Sequence, residues 1–222
     1  MRMAARIVTG WLLVAAGALT GGCQAMAWGA STFTPPKRIP AQYRLPAGQK
    51  VLVFVDDPSG TIADHGVQEK LAGYLEKELT DQKLVGTLVR QSELQAALVS
   101  LGDDGEVHLP RIVKEVGADY VVYVQIEGLA LTDDDARTWQ GKMVLGVKVQ
   151  DVGGRKLWPD AGQHRVPTVE YKPKRAIDDE VACKDYITDQ MAQIAADRIA
   201  KLFYAHAERD LGQQEIGRPL HP

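Results

Sequence analysis

The chain has 222 residues, 45% of them hydrophobic and 25% charged, a balance that suits one or two globular domains and argues against a disordered, collagenous or polytopic membrane chain. Lysine and arginine number 26 against 29 acids, giving a net charge of -3, so no basic excess is available for phosphates and a dedicated nucleic-acid binder is disfavoured. Two cysteines, Cys23 and Cys183, are too few for a disulfide framework or a structural zinc site with four ligands.

Taken in chain order, Met1 to Cys23 has the layout of a bacterial export signal: Arg2 and Arg6, an apolar run from Ile7 to Leu19, then Thr20-Gly21-Gly22-Cys23. The apolar run is shorter than the ~20 residues a spanning helix needs. Leu19-Thr20-Gly21-Gly22-Cys23 resembles the lipobox of bacterial lipoproteins, with Thr20 where that family most often carries Leu. The resemblance implies removal of a signal peptide, residues 1–22, and lipid attachment at Cys23. Two or three acyl chains there would hold a domain on a membrane where one would not. Gln24 follows the cysteine, which by resemblance to enterobacterial sorting implies the inner leaflet of the outer membrane, facing the periplasm. A secretory signal cut elsewhere and an uncleaved anchor are the alternatives.

Residues 23–49 read as a lipidated, Pro-rich tether, with Pro35-Pro36, Pro40 and Pro46 and little apolar periodicity. Trp28, Phe33 and Tyr43 are its side chains suited to packing on the domain instead. The domain itself is expected over 50–208. Lys50 to Asp56 is a continuous apolar, β-branched run, the pattern of a strand covered on both faces, and it stops at Asp57-Pro58-Ser59-Gly60. Asp64 can cap a helix to about Asp81 with Val67, Leu71, Tyr74, Leu75 and Leu79 on one face. Leu84 to Val89 is a short second strand. A helix from near Ser92 runs through Leu94, Leu98 and Leu101 to Gly102, and another spans about Leu109 to Val116.

Ala118 to Leu131 alternates, with Tyr120, Val122, Val124 and Ile126 on one face and Asp119, Val121, Tyr123, Gln125 and Glu127 on the other. After Asp133-Asp134-Asp135, residues Thr138 to Asp151 place Trp139, Gly141, Met143, Leu145, Val147 and Val149 against Gln140, Lys142, Lys148 and Gln150, completing a hairpin with one wetter side. Arg155 to Trp158 is a third antiparallel strand broken by Pro159, and His164 to Tyr171 extends the edge. A long helix from about Ile177 to Ala207 buries Val181, Ile187, Met191, Ile194, Ala195, Ile199 and Leu202, before a frayed tail over 209–222. The fold class is α/β: a single mixed sheet of order βαβααβββα, partly parallel, with an antiparallel carboxy-terminal meander and a long terminal helix.

Three segments, Lys50-Val51-Leu52-Val53-Phe54-Val55, Gly117-Ala118-Asp119-Tyr120-Val121-Val122-Tyr123-Val124 and Gly154-Arg155-Lys156-Leu157-Trp158, resemble the TolB amino-terminal-domain-like envelope lipoproteins. That group includes the curli secretion lipoprotein and the lipoprotein activators of penicillin-binding proteins. The resemblance covers roughly residues 48–207 and implies one of three roles: regulating a cell-wall synthase, forming a secretion ring, or supporting envelope assembly. The ring is the weakest of these, because no amphipathic hairpins remain for a membrane barrel.

No zincin, nucleophile-elbow, Walker, dinucleotide, C-x-x-C or EF-hand motif occurs. His65, His108, His164, His206 and His221 have no i, i+4 pair, so no metal site and no cofactor is expected. Cys183 reads as a packing residue. Asp56 and Asp57 end the central strand, where ligands of α/β sheets sit, but Asp-Pro and Ser-Gly are also ordinary turn chemistry, and a carboxylate dyad would need a second group such as Asp119. Asp133-Asp134-Asp135 and Lys172-Lys174-Arg175 read as solvated charge. Trp139 and Trp158 read as core or edge packing rather than a sugar-stacking pair. The expectation is therefore a non-catalytic module. It would be tethered to the membrane through Cys23, without nucleic acid, and would bind another envelope protein or copies of itself. The alternative is a small-molecule or glycan binder, or an unrecognised hydrolase, at the sheet end near Asp56, Asp57 and Ser59.

Overall fold

Val51, Leu52 and Val53 are completely buried, as a strand without polar alternation must be when helices cover both of its faces. They lie in β2 (Lys50–Asp56) of a mixed sheet. The computed structural model describes residues 37–58, 60, 66–101, 109–133, 139–175 and 177–207. It divides into two units. Of the first, the described residues are Lys37, Arg38 and Ala207; the second, from Ile39 to His206, holds the sheet, the helices and the groove treated below.

β2 pairs in parallel with β3 (Thr87–Leu88) on one side and β4 (Tyr120–Asp133) on the other. β4 pairs antiparallel with β5 (Trp139–Asp151), with a bulge between Ile126 and Gly128. The far edge of β5 is shared: β7 (His164–Tyr171) runs along Gly141 to Val147, and β6 (Lys156–Trp158) takes Val149 and Gln150. Two-residue strands β1 (Arg38–Ile39) and β8 (His206–Ala207) form a separate ladder.

Among the described residues, two helices lie on each face. Odd-numbered β2 residues and even-numbered β4 residues pack with α1 (Gly66–Asp81) and α4 (Glu180–Ala200) in the larger core. Leu52 and Val121 point the other way, to α2 (Gln91–Leu101) and α3 (Leu109–Glu115). The α/β class and the mixed sheet are as expected. The strand order is not, because β7 is a full member of the sheet and the order reads βαβααββββα before the β1–β8 pair is added.

The terminal helix is shorter than expected at both ends. Asp179 caps it, accepting from the Ala182 amide at 3.0 Å, so α4 begins at Glu180 rather than Ile177. It stops at Ala200, seven residues before Ala207, because the chain tightens: the amides of Leu202 and Phe203 reach back only three residues, to Ile199 and Ala200. The Leu202 carbonyl is then taken by the amides of Gln42 and Tyr43, at 2.8 and 3.2 Å. Val181, expected in the buried stripe, is 77% exposed. Ile187, Met191, Ala195 and Ile199 are buried as expected, and Cys183 joins the stripe in place of Val181 as a buried free thiol whose pKa burial raises.

The chain before β2 lies against the domain. Tyr43 stacks on Trp158 with ring centroids 5.9 Å apart, and the Pro46 carbonyl accepts from the Tyr120 hydroxyl at 3.3 Å. Cys23 and the whole signal segment lie outside the described residues, as do Trp28, Phe33, Ser59, Asp64, Gly102 and the tail. Among the described residues, no helix is long and apolar enough to cross a membrane.

Candidate functional site

In β2, β4 and β5, Phe54, Tyr123 and Lys148 are direct cross-strand partners. They make one row across the sheet face that carries α2 and α3. The rings of Phe54 and Tyr123 stack with centroids 6.0 Å apart and planes at 26°. Lys148 Nζ stands 4.2 Å from the Tyr123 centroid, a cation–π distance. The Tyr123 hydroxyl donates to Asp56 Oδ2, two residues further along β2. Strand alternation puts Phe54 and Asp56 on one face, and the parallel register brings Tyr123 within reach of both.

This row lies along a groove of about 1150 Å³ at the carboxyl end of β2. Leu98 of α2, Leu109 of α3, Gln68 at the start of α1 and Gly154 in the β5–β6 turn also line it. α2 and α3 cover Leu52 and Val121, while Phe54, Tyr123, Leu98 and Leu109 remain half-buried at the fringe of that smaller core.

Burial pushes the Tyr123 phenol pKa up strongly, and the bond to Asp56 and its charge add to this. The pair therefore works as a neutral donor on a carboxylate. Burial lowers the Lys148 pKa; the Asp56 charge opposes this and Lys156 reinforces it. Asp151, also on the groove, accepts from the Gly153 and Arg155 amides at 3.0 and 2.9 Å and from Arg155 Nε at 2.9 Å, so its charge is well compensated.

Asp56 is the one acid singled out from sequence that lines the groove. The Asp57 carbonyl accepts from the Gly60 amide at 3.1 Å, a turn contact, and Ser59 lies outside the described residues. Asp119 is not brought near. Its side chain accepts from the Lys50 amide at 2.7 Å at the opposite end of β2, about 20 Å along the strand from Asp56 at ~3.3 Å per residue. Asp56 and Asp119 therefore form no dyad.

Trp139 and Trp158 are likewise separated. Trp158 pairs with Val149, ten positions along β5 from Trp139, or about 33 Å at ~3.3 Å per residue. Lys184 Nζ sits 4.1 Å over the Trp139 ring, and Trp158 packs with Tyr43, His164 and Phe203. His206 contacts Tyr204; His65, His108 and His221 lie outside the described residues. Among the described residues, no three His, Cys, Asp or Glu side chains converge as metal ligands.

Sequence reasoning placed Tyr123 and Lys148 on the correct strands but assigned them no role. The missing information was register, since only the pairing of β2, β4 and β5 shows that positions 54, 123 and 148 form one row.

No family model matches the chain, and no curated protein matches it in sequence. Several of the solved structures that resemble it are bacterial lipoproteins. A lipoprotein of Neisseria meningitidis is 14% identical, with 66% of this chain and 98% of that one covered and a TM-score of 0.39. A minor lipoprotein of Acinetobacter baumannii is 11% identical, with 69% and 90% covered and a TM-score of 0.38. A hypothetical protein of Chlamydia trachomatis is 12% identical, with 68% and 95% covered and a TM-score of 0.41.

Proposed function

We propose that this chain is a lipid-anchored envelope protein, held through acyl groups on Cys23 in the inner leaflet of the outer membrane. Its periplasm-facing, TolB-like domain acts without catalysis by binding another envelope protein or further copies of itself. The basic, apolar and small-residue pattern ending at Cys23 supports the anchor. The observation that carries the binding role is the row Phe54–Tyr123–Lys148: a strip of half-buried aromatic and cationic surface that the domain's own helices leave open. Surface of this kind fits recognition, and among the described residues no cluster of metal-ligating side chains lies beside it.

The test is cross-linking in intact envelopes with mass-spectrometric identification, using Cys23→Ala as the control. A reproducible foreign partner that disappears in Cys23→Ala supports a tethered interaction module, and self-cross-links alone support an assembly of copies. Recovery of nothing specific would sink both.

A second reading, binding of a small ligand, is favoured by the groove itself. Its volume exceeds that of an ordinary drug-sized pocket, and it opens at the carboxyl end of the central strand near Asp56, where ligands of α/β sheets gather.

A further inference from the structure

The groove's charges are unevenly satisfied. Asp56 holds the Tyr123 hydroxyl, Asp151 holds three donors, and Glu69 at the rim is exposed to water. Lys148 differs. Among the described residues its ammonium has the Tyr123 ring beneath it and no hydrogen-bond acceptor or ion-pair partner. A half-buried ammonium has lost part of its hydration, and a ring face returns only a fraction of what an oxygen acceptor would give. The Asp56 charge favours the ammonium, and Lys156 disfavours it by less. An oxyanion received there would accept charge-assisted hydrogen bonds from the ammonium, which the ring face does not supply.

The aromatic geometry narrows the ligand. One face of Tyr123 meets Phe54 and its ring also carries the Lys148 ammonium, so Tyr123 offers no free face on which a sugar ring could lie. The half-buried side chains of Phe54, Leu98 and Leu109 offer apolar contact along the same groove. A bare inorganic ion would leave that surface wet.

Resting on the second reading above, we propose that the groove binds a small amphiphilic anion. Its oxyanion would be received by the Lys148 ammonium and its apolar body packed against Phe54, Leu98 and Leu109. No bond is made or broken in the complex.

The test is isothermal titration calorimetry on the full chain held in phosphatidylcholine nanodiscs, with empty nanodiscs subtracted. The probes are 3-phenylpropionate, its neutral counterpart 3-phenylpropionamide, and sodium phosphate. The expected result is binding of the carboxylate at least about tenfold tighter than of the amide, as loss of one charge-assisted hydrogen bond implies. Lys148→Gln should weaken the carboxylate by a similar factor with the circular dichroism spectrum unchanged, and Lys148→Arg should restore most of it. Equal binding of carboxylate and amide would overturn the role of Lys148 while leaving a ligand groove standing. Phosphate binding as tightly as the carboxylate would reduce the site to a bare-anion site and overturn the amphiphile. Failure of all three probes would remove the ligand reading itself.

Discussion

Gly141 of β5 lies directly beneath Met191 of α4: a Cβ at position 141 would stand 2.5 Å from Met191 Sδ. The same atom would meet Ile187 Cγ2 at 2.6 Å. Both neighbours are fully buried in the larger core, so neither can swing into solvent. The missing side chain is what lets the terminal helix seat on the sheet.

Gly141→Ala is therefore expected to overpack this contact and cost about 1–3 kcal/mol. At roughly 2–4 °C per kcal/mol for a domain of this size, thermal melts should show a clear fall in Tm. Because two of the three nearest atoms belong to Met191, the double variant Gly141→Ala/Met191→Ala should cost less than the two single changes added together. Full additivity would show that the strain is absorbed elsewhere.

How far the fold was legible follows from contacts of this kind. The buried β2 run, the alternation in β4 and β5 and the apolar stripe of α1 are local patterns, and they identify a mixed α/β sheet without knowledge of a neighbour. The end of α4 is not local. Leu202 and Phe203 continue an apolar pattern with no glycine or proline to stop it, and what stops it is an arm more than 150 residues earlier, whose Gln42 and Tyr43 amides take the Leu202 carbonyl. β7 was under-read because Pro167 interrupts it and only Val166 and Val169 are buried, so its alternation is lost at the bulge. In the groove, Asp56 is visible as the end of a central strand, whereas Lys148 takes its meaning from register alone.

The Tyr123–Asp56 bond predicts an alkaline limit to stability. Burial and the Asp56 bond raise the Tyr123 pKa above its ordinary value, and burial raises Tyr120 and Tyr171 too. An unfolded tyrosine ionises near pH ~10, so above that pH the folded state holds more protons than the unfolded one, and stability falls as pH rises. Denaturant midpoints should be level on this account up to about pH 10 and decline beyond it. The decline should be shallower in Tyr123→Phe. An identical slope in the variant would mean that Tyr123 ionises normally in the folded protein.

His164 predicts the acidic counterpart. Its ring packs 5.1 Å from Trp158, and burial lowers its pKa. The unfolded state then takes up a proton first. The contribution is fully present above the ordinary histidine value near pH ~6.5 and is lost as pH falls through the lower folded value. His164→Phe keeps a ring on Trp158 and removes the titration, so the stability difference between pH 7 and pH 5 should shrink in chemical denaturation of the variant. If it does not, other groups carry the acid sensitivity.

Arg198 offers the most local test of how β7 is held. Between the pairs Met143–Val169 and Leu145–Val166, β5 supplies Val144 alone while β7 supplies both Pro167 and Thr168, so β7 bulges there. The bulge disrupts the ladder, and Arg198 Nη1 donates to the Pro167 and Thr168 carbonyls at 3.1 and 2.8 Å from the last turn of α4. One nitrogen thus ties the helix to the irregular part of the edge strand. Arg198→Ala should leave both carbonyls to water and cost about 1 kcal/mol, with amide hydrogen exchange accelerating in β7 more than in β4 or β2. Lysine brings a charge without the planar, preorganised donor fork of arginine, so Arg198→Lys should recover only part of the protection. Uniform acceleration across the sheet would instead show that Arg198 acts on global stability and not on the bulge.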